Sequence, residues 1–210
     1  MKRSLYGLMI LVTLVGCGHP GGSSAPPVLP AGWKPLSIRV NPLTIESEPA
    51  QPVSLSVGLP PEWRNVDKME DPQTFMAGST GKETQYPLFL VRGPVEPNVL
   101  RPYIKATVSE ISTGMNAQEF IDIDVKNVGK NVGVTYKHIS KPETVHLALG
   151  DGTAVSYENP YVEEGAVGDM NMKQYWVLTG NLEVHITWEV PANSHLENEA
   201  DAIVKTLYVK

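Results

Sequence analysis

The chain has 210 residues, 41% of them hydrophobic and 19% charged, and its formal net charge at pH 7 is −6. This size and balance fit one globular domain with a flanking segment, and they exclude a chain kept disordered by excess charge. Nonspecific binding of nucleic acid needs clustered Lys and Arg, so the negative charge argues against a DNA or RNA partner.

The N-terminus has the pattern of an export signal that ends at a lipid attachment site. Lys2 and Arg3 precede an apolar run, Leu5 to Val15, which is too short to span a bilayer comfortably. The run closes with Leu14-Val15-Gly16-Cys17, which resembles the lipobox of bacterial lipoproteins, and the chain has no other cysteine. The resemblance implies a signal peptide over 1–16 and acylation of Cys17. The alternative is an ordinary secretory signal.

Lipidation would keep the chain at the extracytoplasmic side of the cell envelope, since two or three acyl chains bind a bilayer essentially permanently. Gly18 follows Cys17, and by resemblance to Gram-negative lipoproteins the lack of Asp there favours the outer membrane. We expect a flexible tether rich in Gly, Ser and Pro up to residue 35, then a single domain over 36–210 with its core at about 51–210. Whether residues 36–50 belong to the fold stays open.

The first half of the domain combines strands and helices. Val53 to Leu59 alternates apolar and polar residues, which predicts a half-buried strand, and Tyr86 to Arg92 is a continuous apolar strand. Asn98 can cap a helix with Leu100, Ile104, Val108 and Ile111 on one face.

A second helix is predicted from Asn116 to about Val128, because Asn116 and Glu119 have the spacing of a capping box. The alternation of apolar residues inside this segment also fits a strand. Both helices lie upstream of a region that is β in character.

From Thr135 onward the pattern is that of hairpins and a closing helix. Gly150-Asp151-Gly152 and Thr179-Gly180-Asn181 are turn signals, and Glu158 to Asp169 has the composition of an acidic loop. Ser194 and Glu197 predict a capping box for the last helix. The longest alternation is Leu182 to Val190, whose opposite, polar side carries Glu183, His185, Thr187 and Glu189.

The order of elements resembles the PsbP/Mog1-like fold over about residues 51–210. The features that match are Leu59-Pro60-Pro61-Glu62-Trp63, Tyr86-Pro87, the Gly-Asp-Gly hairpin and the terminal helix. The resemblance implies an α+β class, a mostly antiparallel β-sheet packed by helices in an α/β/α sandwich. Members act as extrinsic subunits of membrane complexes, bind small regulatory proteins, or have unknown roles. A shared fold does not transfer a function.

No hydrolase nucleophile, phosphate loop or dinucleotide motif is present, so we predict no catalytic residue, no cofactor and no enzyme activity. His146 and His185 lie on polar sides of predicted strands and would form a surface metal site if those strands were neighbours. Two exposed histidines are the simpler interpretation, so no metal is predicted. Trp176 and Trp188 are expected to share the apolar side of their strands and pack in the core rather than form a carbohydrate platform.

The candidate partner-binding residues are the carboxylates of the acidic stretch, Glu158, Glu163, Glu164 and Asp169. They suit a basic partner, although a solvated charged loop has the same composition. The sequence therefore predicts a membrane-tethered, noncatalytic envelope lipoprotein that serves as an interaction or accessory subunit. Its expected partners are the membrane, through the lipid anchor, and an envelope protein. The alternatives are a small-ligand or metal-binding lipoprotein and, third, an envelope enzyme.

Overall fold

The fold is taken from a computed structural model. It describes residues 26–42, 51–66, 88–95, 101–111, 116–128, 130, 136–163, 166–192 and 194–210. The predicted signal peptide, Cys17, the first part of the tether and Glu164 lie outside these ranges.

A three-stranded antiparallel sheet contains β1 (Lys34–Val40), β2 (Val53–Leu59) and β10 (Tyr208–Val209), in the order β1-β2-β10. Strand β1 pairs with β2 over its whole length, from Lys34 opposite Leu59 to Val40 opposite Val53. The alternation over residues 36–40 is therefore that of a strand belonging to the fold. The sheet joins the beginning and the end of the described chain.

A seven-stranded antiparallel sheet forms the rest of the β structure, in the order β3-β4-β5-β9-β8-β7-β6. Its strands are β3 (Arg64–Asn65), β4 (Leu88–Arg92), β5 (Tyr103–Glu110), β6 (Glu143–Leu147), β7 (Gly150–Glu163), β8 (Ala166–Thr179) and β9 (Leu182–Pro191). Helices α1 (Ala117–Asn127) and α2 (Leu196–Lys205) pack on opposite faces of this sheet. The predicted α+β class, a mostly antiparallel sheet packed by helices, is confirmed.

One face of the seven-stranded sheet, which we call the apolar face, is covered by α2. Val184 and Ile186 of β9 are fully buried there with Ile203 of α2, and the same cluster includes Leu55 and Val57 of the other sheet. Helix α2 thus packs both sheets into one core. Burial of a side chain of this size contributes about 1.5–3 kcal/mol, so this face supplies most of the packing that holds the domain together.

Two of the three predicted helix starts, at Asn116 and at Ser194, have different outcomes. Asn116 caps α1, because its side-chain oxygen accepts a hydrogen bond from the backbone N–H of Gln118 at 3.1 Å. The capping box predicted for α2 is wrong. The side chain of Asn171 donates to the Glu197 carboxylate, and the backbone N–H of Ser194 donates to the carbonyl of Pro191 at 2.9 Å. The reciprocal bonds of the box are therefore not formed, and the Ser194 hydroxyl accepts only a long hydrogen bond from the Leu196 N–H, at 3.4 Å.

The helix predicted from Asn98 is wrong over residues 103–110, which form β5. Ile104 and Val108 are four residues apart, a separation that fits one face of a helix and also one face of a strand. Ala106 between them is fully buried as well, so the buried set has a period of two. The β-branched and aromatic residues of Tyr103–Glu110 favour the extended conformation.

The Gly-Asp-Gly segment starts β7 rather than forming the turn itself, because Ala148 and Leu149 make the turn between β6 and β7. A Cβ at Gly150 would lie 2.5 Å from the carbonyl oxygen of Leu178, and one at Gly152 would lie 2.3 Å from that of Trp176. These glycines allow β7 to approach β8 closely. The turn predicted at Gly180 is confirmed, with φ of 61°.

The acidic loop predicted from Glu158 to Asp169 is wrong, because most of this stretch lies in β7 and β8. Pairing continues from Glu158 opposite Asn171 to Glu163 opposite Ala166. Backbone hydrogen bonds hold such a ribbon while its charged side chains stay in water, so the acidic composition does not prevent strand formation. We call residues 160–163 and 166–169 the acidic arm. In the strand ladders of the described chain its strands pair only with each other, and at its base the backbone N–H of Ala192 donates to the carbonyl of Asp169 at 2.9 Å.

Candidate functional site

The second face of the seven-stranded sheet, which we call the polar face, is buried rather than solvated. Glu183 and Glu189 of β9 are 5% and 6% exposed, and Thr187 between them is 2% exposed. The alternation of β9 was predicted correctly, but its polar side was expected in solvent. Buried polar groups need partners, so this face is where a functional site is most readily expected.

Helix α1 covers the β7–β8 half of the polar face. Ile121 of α1 is buried against Val155, Tyr157, Met172 and Trp176, and these residues form a core separate from that of the apolar face. The cover stops where α1 ends. The sheet surface next to that end is lined by polar as well as aromatic side chains.

A pocket of about 190 Å³ lies between the C-terminal end of α1 and the sheet. Its lining comes from α1 and the residue after it, from the segment that precedes β6, and from β7, β8 and β9. The lining residues are Asp124, Asn127, Val128, Tyr136, Tyr157, Gln174, Trp176 and His185.

One wall of the pocket is a stacked pair of rings. The centroids of Trp176 and His185 are 5.0 Å apart and their planes differ by 10°. Trp176 is 1% exposed. Its Nε1 and the Nε2 of His185 are both buried and have no hydrogen-bond partner among the residues that the structure describes.

The position of Trp176 corrects the expectation that it shares the apolar side with Trp188. Trp176 lies opposite His185 in the β8–β9 register, whereas Trp188 lies opposite Lys173. Side chains alternate between faces along a strand. Trp188 therefore belongs to the apolar face and Trp176 to the polar face.

Two groups of this region have shifted pKa values. Burial, together with the charge of Lys105, lowers the pKa of His185 to about 4, so the imidazole is neutral at pH 7. Burial and the neighbouring Asp124 raise the pKa of Glu183 to about 7. Both shifts favour the uncharged form, as expected where water is excluded.

The second wall is built from tyrosines. The rings of Tyr136 and Tyr157 meet edge to face with centroids 4.6 Å apart. The side-chain nitrogen of Gln174 donates to the Tyr157 hydroxyl at 2.6 Å. Burial raises the pKa of Tyr157, which keeps it a neutral phenol. The pocket lining thus combines aromatic rings with amide and hydroxyl groups.

A closed ionic cluster borders the pocket on the β5 side. Glu189 accepts hydrogen bonds from Tyr103 at 2.5 Å and from Asn159 at 3.4 Å. The Arg92 guanidinium carbon lies 5.4 Å from the Tyr103 ring centroid, and Lys105 Nζ lies 5.7 Å from it. Burial raises the pKa of Glu189 and lowers that of Lys105. These groups satisfy one another, so the cluster serves to hold the face in place.

Of the predicted partner-binding residues, the structure describes the side chains of Glu158 and Asp169. Glu158 contacts Nδ1 of His138 at 2.9 Å, and Asp169 contacts Nζ of Lys137 at 3.4 Å. Both carboxylates therefore meet the segment before β6. The side chain of Glu163 lies outside the described part of the chain, as do Glu164 and Cys17.

The structure separates the two histidines that were considered for a metal site. His146 is on β6 and His185 is on β9, and strands β7 and β8 lie between them. His146 contacts Asp151 instead, at 2.7 Å. Among the described residues, no group of three or more His, Cys, Asp or Glu is placed to hold a metal ion. In the same residues no helix is long and apolar enough to cross a bilayer.

The pocket residues were missed at the level of sequence, although one signal for them was present. The turn at Thr179-Gly180-Asn181 fixes the register of β8 against β9, with Thr179 opposite Leu182. Counting back along the hairpin places Trp176 opposite His185 on the polar side. Nothing in the sequence indicated that α1 would cover this side.

Comparisons with known proteins bear on the fold. No family model matches the sequence, and no curated protein matches it significantly. Among solved structures, LpqN, involved in cell envelope biogenesis of Mycobacterium tuberculosis, gives a TM-score of 0.50 at 12% identity over 84% of this chain and 91% of LpqN. The chain shares the fold of LpqN.

Two further structures resemble the chain more weakly. A protein from Bacteroides thetaiotaomicron gives a TM-score of 0.41 at 16% identity, covering 74% of this chain and 45% of that one. CyanoP, a cyanobacterial PsbP from Synechocystis, gives 0.43 at 11% identity, covering 74% and 86%.

Proposed function

We propose that this chain is an envelope lipoprotein, anchored by lipid on Cys17, whose domain works without catalysis as an accessory subunit for another envelope component. The lipobox-like segment Leu14-Val15-Gly16-Cys17 supports the anchor. The first strand begins at Lys34, 17 residues after Cys17 (34 minus 17). An extended chain of that length spans at most about 55–60 Å, so the domain would work close to the bilayer.

The observation that carries the accessory role is the acidic arm. It is a two-stranded ribbon that continues past the last pair of β8 with β9, Met170 opposite Pro191. A ribbon of this kind offers a partner its side chains and backbone without disturbing the core. Glu158 and Asp169 at its base contact His138 and Lys137, Glu163 pairs with Ala166 in its last described pair, and Glu164 is the next residue in the sequence. Its charge suits a basic partner.

The anchor is tested by metabolic labelling with palmitate and by membrane fractionation of the parent chain and of Cys17→Ser. We expect label and membrane association in the parent and neither in the variant. Unlabelled parent protein, or a variant that fractionates like the parent, would overturn the lipid anchor.

The accessory role is tested by crosslinking and pull-down from the native envelope. The variant is Glu163→Lys with Glu164→Lys, and the control, with the same change in net charge, is Glu62→Lys with Asp122→Lys at two exposed positions away from the arm. We expect the arm variant to lose a partner that the parent and the control both retain. Identical partner sets in all three samples would count against recognition through the arm.

The second candidate function, binding of a small ligand, is favoured by one specific observation. This is the pocket beside α1, which has a volume of about 190 Å³ and is lined by aromatic, amide and imidazole side chains.

A further inference from the structure

The three-stranded sheet has one face in the core and one face turned away from it. Leu55 and Val57 of β2 lie in the core with α2. Side chains alternate between faces along a strand, and residues directly opposite in neighbouring antiparallel strands share a face. We call the second face the outer face. It consists of Ser54, Ser56 and Gly58 and of the residues opposite them on the two neighbouring strands.

The segment that leads toward Cys17 lies on this outer face. Gly58 has no side chain, and Leu29 fills the space above it, because a Cβ at Gly58 would lie 2.4 Å from Leu29 Cδ2. Trp33 packs against the core before β1 begins. The chain is therefore seated on the domain from Leu29 onward. The residue before it, Val28, is 96% exposed.

The connection between Cys17 and the outer face is short. Leu29 is 12 residues after Cys17 (29 minus 17). A flexible chain of that length has an r.m.s. end-to-end distance of about 17–21 Å. A globular domain of this size has a radius of gyration of about 16 Å and is therefore about 40 Å across. A lipid on Cys17 would thus hold the bilayer nearest to the outer face, because the far side of the domain lies beyond the usual reach of the chain.

The charge of the outer face is opposite in sign to that of the whole chain. Arg39 and Lys210 lie on either side of Ser54, and both are exposed. The described residues of this face include no Asp or Glu, whereas the chain has a net charge of −6. Residues 18–33 contain no Lys, Arg, Asp or Glu. Anionic headgroups attract basic side chains held near the membrane surface, so an anionic bilayer would favour this face over the acidic remainder of the domain.

We propose that the outer face is the side on which the domain rests on an anionic bilayer. Arg39 and Lys210 meet the lipid phosphates, and Val28 meets the interfacial region. This inference rests on the lipid anchor of the proposed function: the lipid supplies the affinity, and the outer face sets the orientation. Helix α1, on the opposite face of the seven-stranded sheet from α2, is then turned away from the bilayer.

The test measures which side of the anchored domain approaches the lipid. The acylated chain is reconstituted into vesicles of phosphatidylethanolamine and phosphatidylglycerol that contain a phospholipid with a nitroxide on its headgroup. A fluorophore is placed on Ser37→Cys, an exposed position of the outer face, or on Gln118→Cys, an exposed position of α1. Cys17 is the only native cysteine, so once it is acylated the introduced thiol alone is labelled.

We expect the nitroxide to quench the fluorophore at position 37 strongly and the fluorophore at position 118 little. Flotation of the unlabelled parent chain with the vesicles is measured first. A parent chain that does not float overturns the lipid anchor and this proposal with it. A chain that floats but is quenched equally at both positions, or more at position 118, overturns the orientation alone.

A pair of charge variants connects the orientation to the basic side chains. Arg39→Glu with Lys210→Glu is compared with Lys126→Glu and Lys130→Glu, which reverse two exposed charges at the end of α1. The outer-face pair should lower the ratio of docked to undocked domain by at least about tenfold, and the control pair should leave it unchanged. Quenching at position 37 that both pairs reduce alike, or that neither reduces, contradicts docking through these two side chains.

Discussion

Each face of the seven-stranded sheet buries a tryptophan, but only one face supplies its indole N–H with hydrogen-bond partners among the described residues. On the apolar face, Trp188 is 4% exposed and its Nε1 donates to Asp201 at 2.7 Å and to the Tyr175 hydroxyl at 3.1 Å. On the polar face, Trp176 is 1% exposed, and its Nε1 has no hydrogen-bond partner within the described residues. Leaving a buried donor unpaired costs about 1–3 kcal/mol.

This difference in hydrogen bonding distinguishes a face that stabilises the fold from a face that is a candidate binding site. The network around Asp201 also includes Lys173, whose Nζ contacts Asp201 at 3.4 Å and Glu143 at 3.0 Å. Every one of these polar groups has a partner, as expected for a face that stabilises the fold. On the polar face, Trp176 Nε1 and His185 Nε2 have no such partner among the described residues, and both atoms belong to residues that line the pocket beside α1.

The largest effect is expected from truncating the core of the apolar face. Ile203 of α2 and Ile121 of α1 are both buried, at 0% and 1% exposure. Ile203→Ala should lower the free energy of unfolding by about 2–5 kcal/mol. Ile121→Ala should cost less, because its cluster is smaller. Urea unfolding of both variants measures this, and a larger loss at Ile121 would contradict the division between the faces.

The next effect concerns the polar network of the apolar face. Asp201→Ala removes the acceptor shared by Trp188 and Tyr175, and we expect a loss of about 2–3 kcal/mol because two buried donors lose a partner. Asp124→Ala, the matched change on the polar face, should alter stability by less than about 1 kcal/mol. Equal losses in chemical denaturation would show that the two faces are not built differently.

The free energy of unfolding should depend on pH through two groups of the polar face, Glu183 and His185. Glu183 has a pKa raised from 4.5 to about 7, so in the folded chain it keeps a proton that the unfolded chain releases. Its contribution is present below pH 4.5 and is lost as the pH rises to 7. The pKa of His185 is lowered from 6.5 to about 4, so its contribution is present above pH 6.5 and is lost as the pH falls to 4.

Two variants separate these opposed contributions. As the pH rises from 4.5 to 7, the parent chain loses the Glu183 contribution and Glu183→Gln does not, so the variant should gain about 1–3 kcal/mol in free energy of unfolding relative to the parent. As the pH falls from 6.5 to 4, the parent loses the His185 contribution and His185→Phe does not, so this variant should gain a similar amount. Unfolding free energies across pH 4–7.5 provide the measurement. Parallel curves for either variant and the parent would mean that its group titrates normally.

The smallest effect is that of His185→Phe at neutral pH. The change replaces an imidazole whose Nε2 is buried without a described partner by a ring of similar shape. We expect the free energy of unfolding to change by less than about 1 kcal/mol in either direction, because no hydrogen bond of Nε2 is lost. A loss above about 2 kcal/mol in urea would reveal a structural role.

The fold was largely predictable where local patterns agreed with the packing. The alternation of Leu182–Pro191, the turn at Gly180 and the cap at Asn116 all follow from side-chain and backbone preferences that act over a few residues. The prediction failed at Tyr103–Glu110, where spacing by four fits a helix and a strand equally, and at the acidic arm, where charge was taken as a sign of a loop.

The candidate site was less predictable, because it depends on contacts between distant segments. The register that places Trp176 beside His185 was within reach of the sequence, since the turn at Gly180 fixes it. The burial of Glu183 and His185 was not, since it depends on covering the polar face. Polar alternation alone indicates a solvated strand face. The helix that covers this face, α1, lies about 60 residues before β9 in the chain.

The most direct test of the difference between the faces compares Trp188→Phe with Trp176→Phe in one set of unfolding experiments at pH 7. Both changes remove the same atoms from a buried position, but only Trp188 loses hydrogen bonds. The loss of stability should be larger for Trp188→Phe by about 1–3 kcal/mol. Equal losses, or a larger loss at Trp176, would mean that the indole of the polar face is already satisfied and that the two faces are not built differently.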